Sequence, residues 1–242
     1  MNELALFAGA GGGILGGHLL GWRTVCAVER DAHAASVLAQ RQNDGAIRPF
    51  PIWSDVTSFD GRPWRGLVDV ISGGFPCQDI SVAGTKLGLE GERSGLWSEF
   101  FRIVGDVRPG FVFIENSPAL VTRGLERVLA DLASIGFDGR WSHLSAAQLG
   151  ACHERNRTWI VAYSAEIVGS ARTGIIEQPR QLAGVPWSYA GIARDRRGRW
   201  VEMAREFRRM DDGMAFAVER TEAIGNGQVP IVAATAFDLL SR

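Results

Sequence analysis

Lysine is almost missing from this sequence: one residue, Lys86, stands against 25 arginines. Such a skew tracks the base composition of a source genome rather than a function. Cysteine is scarce as well. Cys26, Cys77 and Cys152 are too few for a disulfide framework, and their spacing fits no zinc site. Free thiols in a reducing compartment are therefore expected, with no metal. No apolar run reaches the roughly 18 residues of a membrane-spanning helix. The start of the chain passes almost directly into a strand-like segment, without a signal-peptide pattern. Net charge is lacking too: 26 basic and 27 acidic residues leave −1, so composition alone does not announce a nucleic-acid binder.

The 242 residues are 46% apolar and 22% charged, close to globular averages. That suits one large domain with a real core, or such a domain with a small appended lobe. The charge is unevenly spread. From Arg140 to Arg209 there are twelve arginines and six acidic residues. This excess suits a phosphate backbone; a solvated arginine-rich face would have the same composition.

Strand-like and helix-like segments alternate up to about Ser164. Strands are expected at Leu4–Phe7, Thr24–Val28, Val68–Ser72, Phe111–Glu115 and Thr158–Ala162, with a further one ending at Asp55. Helices are expected over Gly13–Leu20, Asp31–Gln42, Leu96–Val107 and Leu125–Ile135, the last stopped by Gly136. The order predicts an α/β fold with a mainly parallel sheet under helices on both faces. Ligands of such sheets sit at the carboxyl ends of the strands, and every motif below is expected at one of those ends. Residues 1–164 form the expected catalytic and cofactor-binding domain. Periodicity then fades, and 165–215 reads as a small irregular lobe. Residues 216–242 are expected to return to the first domain through a helix, Ile231–Leu240, opened by Pro230.

Leu6-Phe7-Ala8-Gly9-Ala10-Gly11-Gly12-Gly13 follows the first strand and precedes a helix. Glycines there allow a tight turn and close approach of a ligand to the backbone. Glu29 ends the second strand, where a carboxylate can accept hydrogen bonds from a ribose diol. Asp55 is placed to meet an adenine. These features fit an adenosine-containing cofactor, and the glycine loop alone leaves NAD, FAD and S-adenosylmethionine open. An exposed strand-end carboxylate would account for Glu29 equally simply.

Gly73-Gly74-Phe75-Pro76-Cys77-Gln78 follows a buried strand. A cysteine offered by a Gly/Pro loop is a candidate nucleophile, whereas Cys26, within Val25-Cys26-Ala27-Val28, is expected in the core. Carbon 5 of cytosine is a poor nucleophile, and a thiolate added at C6 makes it enamine-like and able to accept a methyl group. Glu115-Asn116 ends another strand, and a protonated carboxyl there can hydrogen-bond the ring N3. Arg155 and Arg157 offer a guanidinium to the O2 oxygen. Taken singly, Glu115 also suits a salt bridge or helix cap, and the two arginines also suit phosphate or surface pairing.

The motifs occur in one order: Phe7-Ala8-Gly9-Ala10-Gly11-Gly12, Glu29, Asp55, Gly74-Phe75-Pro76-Cys77-Gln78, Arg93-Ser94-Gly95-Leu96-Trp97, Glu115-Asn116, Arg155-Asn156-Arg157 and Gly225-Asn226-Gly227-Gln228-Val229-Pro230. In this the chain resembles the bacterial and phage DNA (cytosine-5)-methyltransferases, over Leu4 to about Ala162 and again over Arg220 to Leu240. The resemblance implies a Rossmann-like methyltransferase sheet and S-adenosyl-L-methionine as cofactor, with S-adenosyl-L-homocysteine as product. The implied cofactor pocket comprises Phe7, Ala8, Gly9, Gly11, Gly12, Glu29, Arg30, Asp55, Val56, Pro76, Leu96, Asn226 and Gly227. Cys77 would be the nucleophile, Glu115 would contact N3 and the exocyclic amine, and Arg157 would contact O2 with Arg155 beside it. Gln78, Ser81, Lys86, Arg155, Arg194, Arg196 and Arg197 would touch DNA, and Gln78 to Gly91 would close over it. The target base must leave the double helix. Double-stranded DNA is the implied partner, with a companion restriction endonuclease, monomeric action and a cytoplasmic setting.

Departures from the family pattern are His153 in place of a usual Gln, Ser117 as third member of the Glu-Asn-Val trio, and Gly227-Gln228 before the hydrophobic follow-on to Asn226. The recognition interval, Tyr163 to Gly225, is short and predicts a target of roughly two to four base pairs. Arg172, Arg180 and Arg199 are further candidate groove contacts. Trp187 and Trp200 suit packing anchors, or a small core of the lobe itself. Three rival readings are an RNA cytosine-5 methyltransferase, a catalytically inactive DNA-binding remnant, and a nicotinamide-dependent dehydrogenase. The last leaves Pro76-Cys77-Gln78 unexplained.

Overall fold

The computed structural model describes residues 1–76, 95–151, 153–164 and 227–241. The lobe expected over 165–215, with Arg172, Arg180, Arg199, Trp187 and Trp200, lies outside the described residues.

Among the described residues one sheet of seven strands carries the fold: β1 (Asn2–Leu6), β2 (Arg23–Val28), β3 (Ile52–Trp53), β4 (Val70–Gly73), β5 (Phe111–Asn116), β6 (Phe137–Ser145) and β7 (Asn156–Ser164). Their order is β3-β2-β1-β4-β5-β7-β6. Neighbours from β3 to β5 pair parallel. β7 lies between β5 and β6 and runs antiparallel to both.

The helices are α1 (Gly12–Leu19), α2 (Ala32–Asn43), α3 (Gly95–Val107), α4 (Leu120–Arg123), α5 (Leu125–Ser134) and α6 (Pro230–Leu240). Strand alternation divides them between the two faces. Leu4, Leu6, Ile71, Val112, Ile114 and Ile160 point to one side, where Trp97, Phe100 and Ile103 of α3 and Val128 and Leu132 of α5 cover them. Val70, Phe113, Trp159 and Val161 point to the other, against Val232, Ala233, Ala236 and Phe237 of α6. Ala5 and Ala27 share that second face with Ile14 of α1 and Leu38 of α2. Both faces of the central strands are thus buried, as a covered parallel sheet requires. Asp31 starts α2 by accepting a hydrogen bond from the Ala34 N–H at 2.7 Å.

The returning helix docks on α1 through small residues. A Cβ on Gly16 would lie 2.8 Å from the Ala233 Cβ and 2.9 Å from the Pro230 carbonyl oxygen. The glycine-rich stretch therefore serves packing as well as turning.

A carboxyl group is buried in the same layer. Glu3 of β1 is fully buried, and it accepts hydrogen bonds from Thr24 Oγ1 and Ser72 Oγ, each at 2.6 Å. Burial pushes its pKa up to about 7 against the pull of the two hydroxyls.

The expected strands and helices are present, with shifted ends. β6 was not among them. Its sequence, FDGRWSHLS, has a glycine and few apolar residues, and it lies at the sheet edge with only its ends buried. One strand, β7, runs against the parallel set. Arg155 and Arg157 precede or begin a strand, and they do not occupy a carboxyl end as the sequence reading supposed. The reversed direction of β7 carries them to the same edge, because Asn116 pairs with Thr158 and Glu115 with Trp159. Among the described residues no helix is long and apolar enough to cross a membrane.

Candidate active site

The site begins where β1 ends. Phe7 has φ +51° and Gly9 has φ +52°. The left-handed region is costly for a bulky residue such as Phe7 and natural for glycine. The turn is fixed by Glu29, whose Oε2 accepts the Gly9 N–H at 2.6 Å and whose Oε1 accepts the Asp31 N–H at 2.7 Å. Each oxygen keeps a second lone pair for a ligand. The Phe7 ring stacks on Phe100 at 6.4 Å between centroids.

A cleft of about 400 Å³, open to solvent, runs along Leu6, Phe7, Ala8, Gly9 and Gly13 to Ser72, Gly73 and Gly74, and ends at Glu115, Gly227 and Gln228. Glu29 adjoins it through Gly9. Arg30 is exposed beyond the end of β2. Asp55 follows β3 and caps the turn Val56–Ser58, accepting the Thr57 N–H at 2.9 Å, a bond that holds its carboxyl below the usual value. The Val56 side chain enters the core, as Leu96 does in part. Gly11 faces the Leu38 side chain and Gly12 the Gln228 carbonyl, and neither lines the cleft.

β4 leads into Gly73 and Gly74. A Cβ on Gly74 would lie 2.9 Å from Glu115 Oε2, so the glycine lets two strand ends close up. Phe75 is buried and packs on Trp97 at 5.2 Å and Phe100 at 6.2 Å. Its carbonyl accepts the Asn116 amide at 2.9 Å, while Asn116 Oδ1 takes the Ser117 N–H at 2.8 Å. Asn116 thus ties the end of β5 to the segment that precedes Cys77. Pro76 is exposed. Cys77, Gln78, Ser81, Lys86, Arg194, Arg196, Arg197 and Asn226 lie outside the described residues.

A second, narrower gap is lined by Glu115, Arg155, Arg157, Trp159, Gln228, Val229 and Val232. Arg157 Nε meets Glu115 Oε1 at 2.8 Å. Burial raises the pKa of Glu115, opposed by Arg157 and Arg155. Arg155 has φ +34° and donates from Nη2 to the Gly227 carbonyl. Burial, with Arg157 adding to it, draws its own pKa down. The salt-bridge reading of Glu115 and its chemical reading are thus compatible: the group is paired, buried and at the mouth of a cleft.

The place of Gln228 and the Asn116–Phe75 link are not predicted by the sequence. For Asn116 a signal was available, since an amide beside the site's carboxylate can hold backbone. For Gln228 the only signal was its departure from the usual residue.

The model for the C-5 cytosine-specific DNA methylase family matches residues 1–182. Among curated proteins the chain is similar to Type II methyltransferase M.Eco47II of Escherichia coli, 38% identical over 135 residues, which are 56% of this chain and 31% of that protein. It is similar to M.CviJI of Paramecium bursaria Chlorella virus IL3A, 34% identical over 163 residues, 66% of this chain and 42% of the other. Among solved structures, an E. coli prophage-encoded protein described as a putative DNA modification methyltransferase superposes with TM-score 0.57 at 24% identity, over 69% of this chain and 48% of that one. S. pombe Dnmt2 methyltransferase gives 0.56 at 18% identity, over 68% and 51%. These two likenesses show the fold. The matched part of the chain spans 31% and 42% of the length of these two curated relatives.

Proposed function

The chain belongs to the C-5 cytosine-specific DNA methylase family, and on that premise we propose that it methylates carbon 5 of a cytosine turned out of double-stranded DNA. The observation that carries this reading is the convergence of three strand ends. Gly74 and Phe75 after β4, Glu115 and Asn116 of β5, and Arg155 and Arg157 at β7 meet beside one cleft.

The larger cleft fits S-adenosyl-L-methionine. It has a wall of turned backbone from Phe7 to Gly9 and the Glu29 carboxylate adjoining it. Phe7, Ala8, Gly9 and Gly227 would hold the ligand, with Glu29, Arg30 and Asp55 toward its nucleoside. When bound, it supplies an electrophilic methyl group and leaves as S-adenosyl-L-homocysteine. The thiolate of Cys77 adds to C6. Glu115, whose neutral form burial favours against the pull of Arg157 and Arg155, hydrogen-bonds N3 as charge develops there, and Arg157 turns from Glu115 toward O2. After C5 is methylated, it loses its proton and the Cys77 thiolate is expelled, restoring an aromatic ring.

We assign target reading to residues 165–215, with Arg194, Arg196 and Arg197 among the DNA contacts, and a short recognition sequence. Gly227 lines the cofactor cleft, and we assign Asn226 to the same ligand and 216–242 to the return of the chain to the catalytic domain. The Type II names of the relatives support a restriction-modification setting, in which we place a companion endonuclease, monomeric action on DNA and a cytoplasmic location.

Methylome sequencing of a host expressing the protein tests the reading. The expected result is 5-methylcytosine at a short sequence, lost with Cys77→Ala. No mark from the intact protein, or a mark that survives Cys77→Ala, would refute it. A duplex containing 5-fluorocytosine should trap a covalent adduct with the intact protein alone.

A further inference from the structure

Two clefts meet at a thin partition, and among their lining residues only Glu115 and Gln228 belong to both. Glu115 is the base-facing half of the proposed site. Gln228 is the other half and comes from the segment just before α6. Glycines seat it closely. A Cβ on Gly13 would lie 2.6 Å from Gln228 Oε1, and one on Gly74 would lie 3.6 Å from Gln228 Nε2 and 2.9 Å from Glu115 Oε2. The backbone carbonyl of Gln228 sits against Gly12. Arg155 holds the preceding carbonyl, that of Gly227. The Gln228 side chain therefore lies between the start of α1 and the end of β4, while Gly12 and Arg155 fix the backbone that carries it. Among the described residues its amide has no hydrogen-bond partner, although the residue is half-buried. An amide so placed offers a donor and an acceptor without adding charge beside a carboxyl that must stay neutral.

We propose that Gln228 is the positioning residue that sets the methyl donor's arm in one cleft against the base held in the other. The inference rests on the function proposed above. Its role is alignment rather than activation of the base. A displacement of about 1 Å at such a point costs on the order of 100-fold in rate, whereas addition of Cys77 to C6 depends on Cys77, Glu115 and Arg157.

That separation can be measured. In the absence of cofactor, the Cys77 thiolate adds to C6, C5 takes a proton from water, the original C5 hydrogen leaves as a cation to water, and elimination returns the thiolate. The net result is exchange of one hydrogen, with no oxidant or reductant. A duplex carrying tritium at cytosine C5 reports this as tritium release without cofactor. Methyl incorporation from labelled S-adenosylmethionine in a single turnover reports transfer. In Gln228→Ala, transfer should fall at least about tenfold further than exchange. Gln228→Asn keeps the amide but shortens its reach by one methylene, and should show the same imbalance in smaller measure. It also serves if the alanine variant melts early. Transfer and exchange that fall together, or that both stay at the intact protein's level, would overturn the proposal. If the intact protein shows neither reaction, the proposed function itself fails; if it shows both and the variants keep their ratio, only the role of Gln228 fails.

Discussion

Replacing Glu3 by glutamine should stabilise the protein, and only at higher pH. Glu3 is fully buried on β1 with a pKa of about 7, against an ordinary value of 4.5. A raised folded-state pKa means that the protonated form is favoured in the fold. The stability tied to it is fully present below the unfolded pKa near 4.5 and is lost as pH rises through about 7. The 2.5-unit difference corresponds to about 3 kcal/mol. Glutamine has nearly the same shape and never ionises; its oxygen can accept from one of the two hydroxyls while its amide N–H donates to the other, as the O–H of the protonated carboxyl does. Urea titrations of both proteins at pH 4.5 and pH 8 give the measurement. The variant should match the parent at the lower pH and exceed it by about 3 kcal/mol at the higher, a rise in melting temperature of roughly 6–12 °C. Other titrating groups cancel in the difference. A gap between the two proteins that does not change with pH would refute the reasoning.

Two glycines in helices should respond oppositely to alanine. Gly105 of α3 has open space around it, so Gly105→Ala should raise the melting temperature through up to about 1 kcal/mol of helix propensity. Gly16→Ala has the same propensity gain but meets Ala233 and Pro230, and overpacking of about 1–3 kcal/mol should leave it lower; thermal melts decide the sign. Glu115→Gln should slow single-turnover methylation by about 100-fold. Because burial raises the Glu115 pKa and its neutral form is the active one, the parent rate should fall as pH rises through that pKa, and the variant should lose this limb of the pH–rate profile.

What the sequence made legible followed periodicity and turn chemistry. β1 runs through Leu4-Ala5-Leu6 toward the glycine loop, β4 ends in Gly73 and β5 in Glu115-Asn116, and α3 buries Trp97, Phe100, Val104 and Val107 at helical spacing. β6 escaped because an edge strand needs little apolar surface, and Arg140, Trp141 and His143 give no period-2 signal for burial. The direction of β7 is a tertiary property, set by pairing with β5 and β6 on either side. Candidate residues were readable by chemical type at Glu115, Arg155 and Arg157. Their joining into an ion pair, and the fastening of Phe75 by Asn116, depended on that direction. The sequence presents the glycines after β1 as one loop serving a ligand. They divide between the cleft, at Gly9 and Gly13, and contacts with other parts of the fold at Gly11, Gly12 and Gly16. Nothing local in a sequence marks such a division.

The docking of α6 on α1 has a consequence for synthesis. A ribosome releases the Phe7–Gly9 turn early and Gln228 only after both strands that carry the charged pair. Until residues 227–240 have emerged and settled on the small-residue face of α1, the cleft lacks one wall and Arg155 lacks the Gly227 carbonyl. A nascent chain therefore has its acids and bases in hand before it has an enclosed site. Activity should appear as a late, single event in translation, and a chain cut before Gly227 should bind neither substrate well.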